Sequence, residues 1–367
     1  MKKKCLNFKV VFIVIILSAV YLKLQQPIKV VLLNDFTIET RVHATVTTIP
    51  AKIAEEEINK SDGILERKIK LIVEDTNFKN LDETFKKLDL KNDDVIISAA
   101  NSENLTKLEP YLEKYNIPCI AVNATAVSLS NKKDNIYRLM PDDRIEIDTL
   151  FNYLNKNNIG NKVAVIYDDI NLNYQKSVED QIKKIGGQIS SKQIVYGKSL
   201  NFKIYNKQLI NKCDLILILA SGRDTALIIQ NLRKQDIDKK CFGLSCNVDS
   251  NLLSYGGQAI EGFTFISPKD ISTSSNIYKN LNYNLEKYGK DTSIITIGAY
   301  EAYMLIKKVY CNVHNDTFKK EVDKQKRFII HNQIIEFNDF GDCVDKEFVF
   351  KVKGGSFSKV EDGIDGK

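Results

Sequence analysis

From residue 28 onward, short apolar runs alternate with stretches in which apolar residues recur every three or four positions. Ile28–Leu33, Lys68–Glu74, Val95–Ser98 and Ile117–Val122 read as strands, with amphipathic helices near 45–60, 79–89 and 102–115 between them. This β-α-β-α order predicts a parallel sheet wrapped by helices. The pattern then restarts. Lys162–Tyr167, Gly187–Val195, Asp214–Leu219 and Cys241–Leu244 are the next strands, with helices near 173–185, 201–211 and 223–235. Two successive α/β units of similar size predict two lobes, and Arg138–Asp143, which contains Pro141, is the expected crossover. After Gly262-Phe263-Thr264-Phe265-Ile266 two long helical stretches follow, about 272–288 and 296–311. In the second, Ala299, Ala302, Tyr303, Ile306 and Tyr310 form an apolar stripe. A β-rich tail comprises Phe328–Ile330, Gln333–Phe337 and Glu347–Val352, with Gly341-Asp342 as a turn. Residues 356–367 are expected to fray.

The first residues break this pattern. Lys2, Lys3, Lys4 and Lys9 accompany an apolar run from Val10 to Leu22, interrupted only by Ser18. Such a segment (residues 1–24) reads as an export signal, shorter than the roughly 20 apolar residues of a full span. A cut after Ala19 and an uncleaved anchor both fit, so membrane association through the N-terminus depends on processing. The rest of the chain is expected to be periplasmic or otherwise extracytoplasmic. The formal net charge of +6 falls to +2 without those four lysines (49 basic against 47 acidic residues), which leaves no footprint for nucleic acid. At 43% hydrophobic and 27% charged residues the composition is globular, and 367 residues suffice for two domains.

Little in the chain points to catalysis. There is no Gly-x-Ser-x-Gly elbow, Walker loop or dinucleotide glycine fingerprint, so no enzyme activity and no cofactor are expected. His43, His314 and His331 lack ligand spacing and no Cys-x-x-Cys occurs, which argues against a metal site. Cys213 and Cys241, at the starts of two probable neighbouring strands, are the one pair worth testing for a disulfide. The informative region is 93–125. Two strands deliver small polar residues at their carboxyl ends, Ser98 through Ser102 and Asn123-Ala124-Thr125. In open α/β sheets ligands bind at that edge, and helix N-termini there offer N–H groups to an anion.

The order of these motifs resembles the type I periplasmic binding proteins, specifically the leucine/isoleucine/valine-binding branch that serves ABC transporters. The resemblance rests on Ile28-Lys29-Val30-Val31-Leu32-Leu33, Ala54-Glu55-Glu56-Glu57-Ile58-Asn59, Gly63-Ile64 and Val73-Glu74-Asp75. It continues through Ile117-Pro118, Asn123-Ala124-Thr125, Tyr137-Arg138 and Lys162-Val163-Ala164-Val165-Ile166-Tyr167-Asp168. Ile260-Glu261-Gly262-Phe263, Ala299-Tyr300-Glu301-Ala302, Phe337 and Gly341-Asp342 complete it. It implies an α/β fold of two lobes, each a parallel sheet flanked by helices, crossed three times by the chain, with a ligand in the cleft. Lobe 1 is then 28–140 with 268–328, and lobe 2 is 141–267 with 329–355.

By position, the resemblance assigns an amino acid's carboxylate and amine to Ser102, Asn123 and Thr125. The chain departs from the family in the facing lobe. Ser245 stands where the family usually carries an acid for the ligand ammonium, and Ser221 where it often has an aromatic. Asp224, one turn after Ser221, is a substitute acid, and the loop after the first strand brings His43 toward the cleft mouth. Two functions follow. One is the solute-binding component of an ABC importer, with an amino acid or small carboxylate as ligand and a membrane permease as partner. The other is a membrane-anchored regulatory or sensory domain that retains the fold with an altered or lost ligand.

Overall fold

A computed structural model describes residues 26–34, 41–64, 66–76, 78–169, 172–196, 207–272, 275–288, 292–311, 317–331, 333–344 and 347–360. The export segment therefore lies outside the described residues. Among them, no helix is long and apolar enough to cross a membrane.

The first unit contains β1 (Ile28–Asn34), α1 (Arg41–Lys60), β2 (Ile69–Asp75), α2 (Leu81–Leu88), β3 (Val95–Ser98), α3 (Ser102–Tyr115), β4 (Cys119–Ala121) and β5 (Ile136–Arg138). Its strands form one parallel sheet in the order β2-β1-β3-β4-β5. β3 is buried along its whole length, which explains its uninterrupted apolar run. α3 shows how local sequence sets an element. Asn101 caps it by accepting the Asn104 N–H at 2.9 Å, and Leu105, Leu108 and Leu112 form its buried stripe. Asn116, at φ 51°, ends it in the left-handed conformation.

The chain then crosses to α4 (Asp143–Lys156), β6 (Lys162–Asp168), α5 (Leu172–Lys184), β7 (Gln188–Val195), α6 (Lys207–Asn211), β8 (Leu215–Leu219), α7 (Gly222–Lys234), β9 (Cys241–Gly243), α8 (Ser250–Gly256) and β10 (Thr264–Ser267). It returns through α9 (Asn276–Glu286), α10 (Ile294–Cys311) and α11 (Phe318–Gln325), of which α9 and α10 pack on α1 and α11 on α10. The hairpin β11 (Arg327–Ile330) and β12 (Gln333–Glu336) also rests on α10, because Phe328, Ile330 and Ile335 need burial. The hairpin through Glu336 therefore packs with α10. β13 (Phe348–Lys353) and β14 (Ser356–Lys359) complete the second sheet, ordered β14-β13-β10-β9-β8-β6-β7. Ser356–Lys359, inside the stretch expected to fray, pairs antiparallel with β13.

The crossing segments are tied by buried charges. Arg138 donates from Nη2 to Asp134 Oδ2 at 2.6 Å and from Nη1 to Asp342 Oδ1 at 2.8 Å. Lys269, just beyond β10, pairs with Glu301 of α10 at 2.7 Å, both side chains being almost fully buried. The proposed Cys213–Cys241 disulfide is absent. Both are free thiols, and Cys213 Sγ donates instead to the Ile210 carbonyl at 2.8 Å.

Candidate functional site

The carboxyl ends of β3 and β4 lie side by side, with Ser98 paired to Ala121 in register. The loops that follow are stitched together. Asn123 Nδ2 donates to the Ala99 carbonyl at 3.3 Å, and Ser102 Oγ accepts the Ala126 N–H at 3.2 Å. Ser102, Asn123 and Thr125 are partly exposed there. Asn101, not Ser102, caps α3, so the Ser102 hydroxyl is free to brace the neighbouring loop. The Thr125 carbonyl accepts the N–H of Asp143, the first residue of α4, at 3.0 Å. This bond joins the first-lobe loop to the start of the second lobe.

In the second unit, the ends of β6, β8 and β9 carry Asp168, Ser221 and Ser245. Ser221 caps α7 by accepting the Asp224 N–H at 3.4 Å, and its own N–H points to Asp168 Oδ2 at 3.4 Å. Asp224 is buried and ion-paired with Arg223 at 2.8 Å, so the substitute acid is already occupied. The loop carrying Ser245 is fixed by Asn247. Its amide donates to the carbonyls of Ile218 and Ala220 at 3.1 and 3.0 Å and to Thr225 Oγ1 at 2.8 Å. Its oxygen accepts the Leu244 N–H. His43 falls within α1, but its side chain lies outside the described residues.

Three acids on this wall escaped the sequence reading. Glu146, on α4, is 2% exposed and accepts the Ser245 N–H at 2.5 Å and the Tyr174 hydroxyl at 2.9 Å. A carboxylate from α4 thus stands directly behind Ser245. Asp143, one turn earlier on the same helix, is fully buried, and no donor stands in hydrogen-bonding geometry to either of its oxygens. Glu347, ahead of β13, has one buried, unpartnered oxygen.

Burial dominates the electrostatics of all three. It pushes the Asp143 carboxyl up to about 7; the nearby Ser177 and Thr125 hydroxyls, outside hydrogen-bonding geometry, offset this only in part, and Glu146 raises it further. It raises Glu146 against the pull of its Ser245 and Tyr174 donors. Glu347 stands well above the usual carboxylate range, through burial and then the charges of Glu146, Asp143 and Asp142. Asp142 differs. Arg144 and Ser130 hold it below its ordinary value in spite of burial. The signal for these acids was Asp142-Asp143-Arg144-Ile145-Glu146, which looks like a capped helix start with dipole-matching acids. Only the tertiary fold turns that helix end inward. Among the described residues no group of three or more His, Cys, Asp or Glu is arranged to hold a metal ion.

A family model described as "Periplasmic binding protein" matches residues 27–326. No curated protein sequence matches the chain. Among solved structures, the chain is similar to the branched-chain amino acid transporter substrate-binding protein LivJ of Streptococcus pneumoniae in complex with isoleucine, at 17% identity and TM-score 0.75, covering 91% of this chain and 99% of that one. The leucine-binding protein LivK of Thermotoga maritima aligns at 20% identity and TM-score 0.69, covering 91% and 97%. A solute-binding protein of an ABC transporter from Rhodopseudomonas palustris, in complex with 3,4-dihydroxybenzoic acid, aligns at 17% identity and TM-score 0.73, covering 92% and 96%. At these identities the likeness establishes the two-lobed α/β fold.

Proposed function

The chain belongs to the periplasmic binding protein family, of type I, and we propose that it is the extracytoplasmic solute-binding component of an ABC importer, taking an amino acid or related small carboxylate between its lobes. One observation carries this reading. The Thr125 carbonyl, in the polar loop at the carboxyl end of the first sheet, accepts the N–H of Asp143, which opens the acid-bearing helix α4. An α-amino acid needs that pairing of an anion cradle with an acid. The cradle is the N-terminus of α3 with the Ser102 and Thr125 hydroxyls and the backbone around Asn123. The wall supplies Glu146 behind Ser245, so Ser221, Ser245 and Asp224 shape and brace the pocket while the acid comes from α4. The ligands of the similar structures, isoleucine and a hydroxylated benzoic acid, each carry a carboxylate. The permease would dock on the closed form, since hinge closure is how such two-lobed folds respond to ligand.

The test is a thermal-shift screen of amino acids and small carboxylates. A hit is expected to be abolished by Ser102→Ala combined with Thr125→Ala while the far-UV spectrum stays unchanged. Binding that survives the double change would move the cradle elsewhere, and a flat response to every compound would remove the importer reading.

A further inference from the structure

The second-lobe wall holds more acid than one α-ammonium requires. Asp143 is completely buried with both oxygens unpartnered, Glu146 is 2% exposed, and Glu347 buries a further free oxygen. Among the described residues no Lys or Arg pairs with any of them. Arg144, the nearest cation in sequence, is engaged by Asp142. A buried carboxylate left without a donor costs several kcal/mol, which a fold tolerates where a ligand completes it. The three acids arrive from two places: Asp143 and Glu146 share one face of α4, and Glu347 comes from the last crossing segment. They do not form a metal-type cluster, which favours an extended organic cation over a metal ion.

We infer that the wall built by Asp143, Glu146 and Glu347 takes a ligand presenting two cationic nitrogens, the chemistry of a basic amino acid held by its carboxylate on the first lobe. This rests on the solute-binding reading above and narrows its substrate class. The α-ammonium meets Glu146, and the side-chain cation completes Asp143 and Glu347. Neutral aliphatic amino acids would leave two buried acids unmet.

The same wall makes binding sensitive to pH. The groups facing it are Asp142, already ionised and paired, the Tyr174 hydroxyl and the Cys246 thiol, both held protonated well above their ordinary values, and Asp168 beyond them. Among the wall's own groups burial pushes the Asp143 carboxyl up to about 7, in the neutral range, and raises Glu146 and Glu347 as well. Their ionised forms bind the cation, so affinity rises with pH and binding releases protons.

Isothermal titration of the purified full chain at pH 8 and pH 6 tests this with arginine, lysine and ornithine, with leucine and isoleucine, and with a simple aliphatic diamine. Basic amino acids are expected to bind at least tenfold more tightly than leucine, to weaken at pH 6, and to release protons when buffers of different ionisation enthalpy are compared. Asp143→Asn and Glu347→Gln should each weaken them tenfold or more, with circular dichroism confirming the fold. Leucine or isoleucine binding as well as arginine would overturn the inference and leave the solute-binding reading standing. No binding by any amino acid or diamine would overturn both. A diamine matching arginine would support the cationic wall but remove the amino-acid carboxylate from the reading. Wild-type affinity in the folded variants would overturn the assignment of the wall.

Discussion

Asp143 carries a stability cost whose sign can be worked out. Its carboxyl ordinarily ionises near 3.8, whereas burial in the fold moves it to about 7. Between those values the folded chain holds a proton that the unfolded chain has released. Stability therefore falls as pH rises through this window and levels off above it. Asparagine has no proton to lose. Asp143→Asn is thus expected to be more stable than the wild type at pH 8 without ligand, by up to about 4 kcal/mol for a shift of this size. The difference should vanish near pH 4. Urea denaturation at the two pH values measures it, and a wild type equal to the variant at pH 8 would show that Asp143 is already satisfied. The same substitution should weaken ligand binding, which is the trade expected of a residue kept for function.

Among the elements, the short turn after β9 depends most on one side chain. Asn247 spends its amide on two carbonyls and a hydroxyl and its oxygen on the Leu244 N–H, all in a fully buried setting. Asn247→Ala strands several of those partners, so a loss of about 2–3 kcal/mol is expected by chemical denaturation, with ligand affinity falling because Ser245 loses its position. Elements like β3 and β8 were legible in the sequence because strands buried on both faces require unbroken apolar runs. α3 was legible through its leucine stripe. β5, with three residues, is too short for a periodic signal, and α4 was masked by Pro141 and the acids that follow it. β14 was missed because its polar residues lie on an edge, where pairing with β13 rather than burial holds them. That the polar loops after β3 and β4 are neighbours could be read from the strand ends alone. The environments of Asp143, Glu146 and Glu347 could not, since their burial arises only after the chain has crossed between sheets.

At the scale of the whole molecule, the two sheets are connected through the segments that follow β5, β10 and β12, and buried ion pairs anchor them. Arg138 is held by Asp134 beside its own strand and by Asp342 on the third segment, and the Gly341 carbonyl accepts its backbone N–H at 2.9 Å. Gly341, at φ +78°, has no room for a Cβ, which would lie 2.8 Å from the Ile136 carbonyl oxygen. Removing the Arg138 charge leaves two buried carboxylates facing each other. Arg138→Met is therefore expected to cost about 3–5 kcal/mol. A designed apolar triple replacement with Asp134 and Asp342 should recover much of that loss, since it removes the stranded charges as well. The pairing also sets how the lobes move. It fixes one end of the crossing region, and on the solute-binding proposal closure is a rotation about it that brings the α4 acids toward the first-lobe loops. Ionised acids on that wall favour water and hence an open cleft; a bound cation, or protons at low pH, remove the penalty for closing. Small-angle scattering should then give a smaller radius of gyration at pH 8 with saturating ligand than without, and a partial decrease at pH 5.5 in the free protein. Asp143→Asn should reduce the dependence on pH in the free protein. A free protein whose radius is the same at both pH values would mean that the wall does not govern closure.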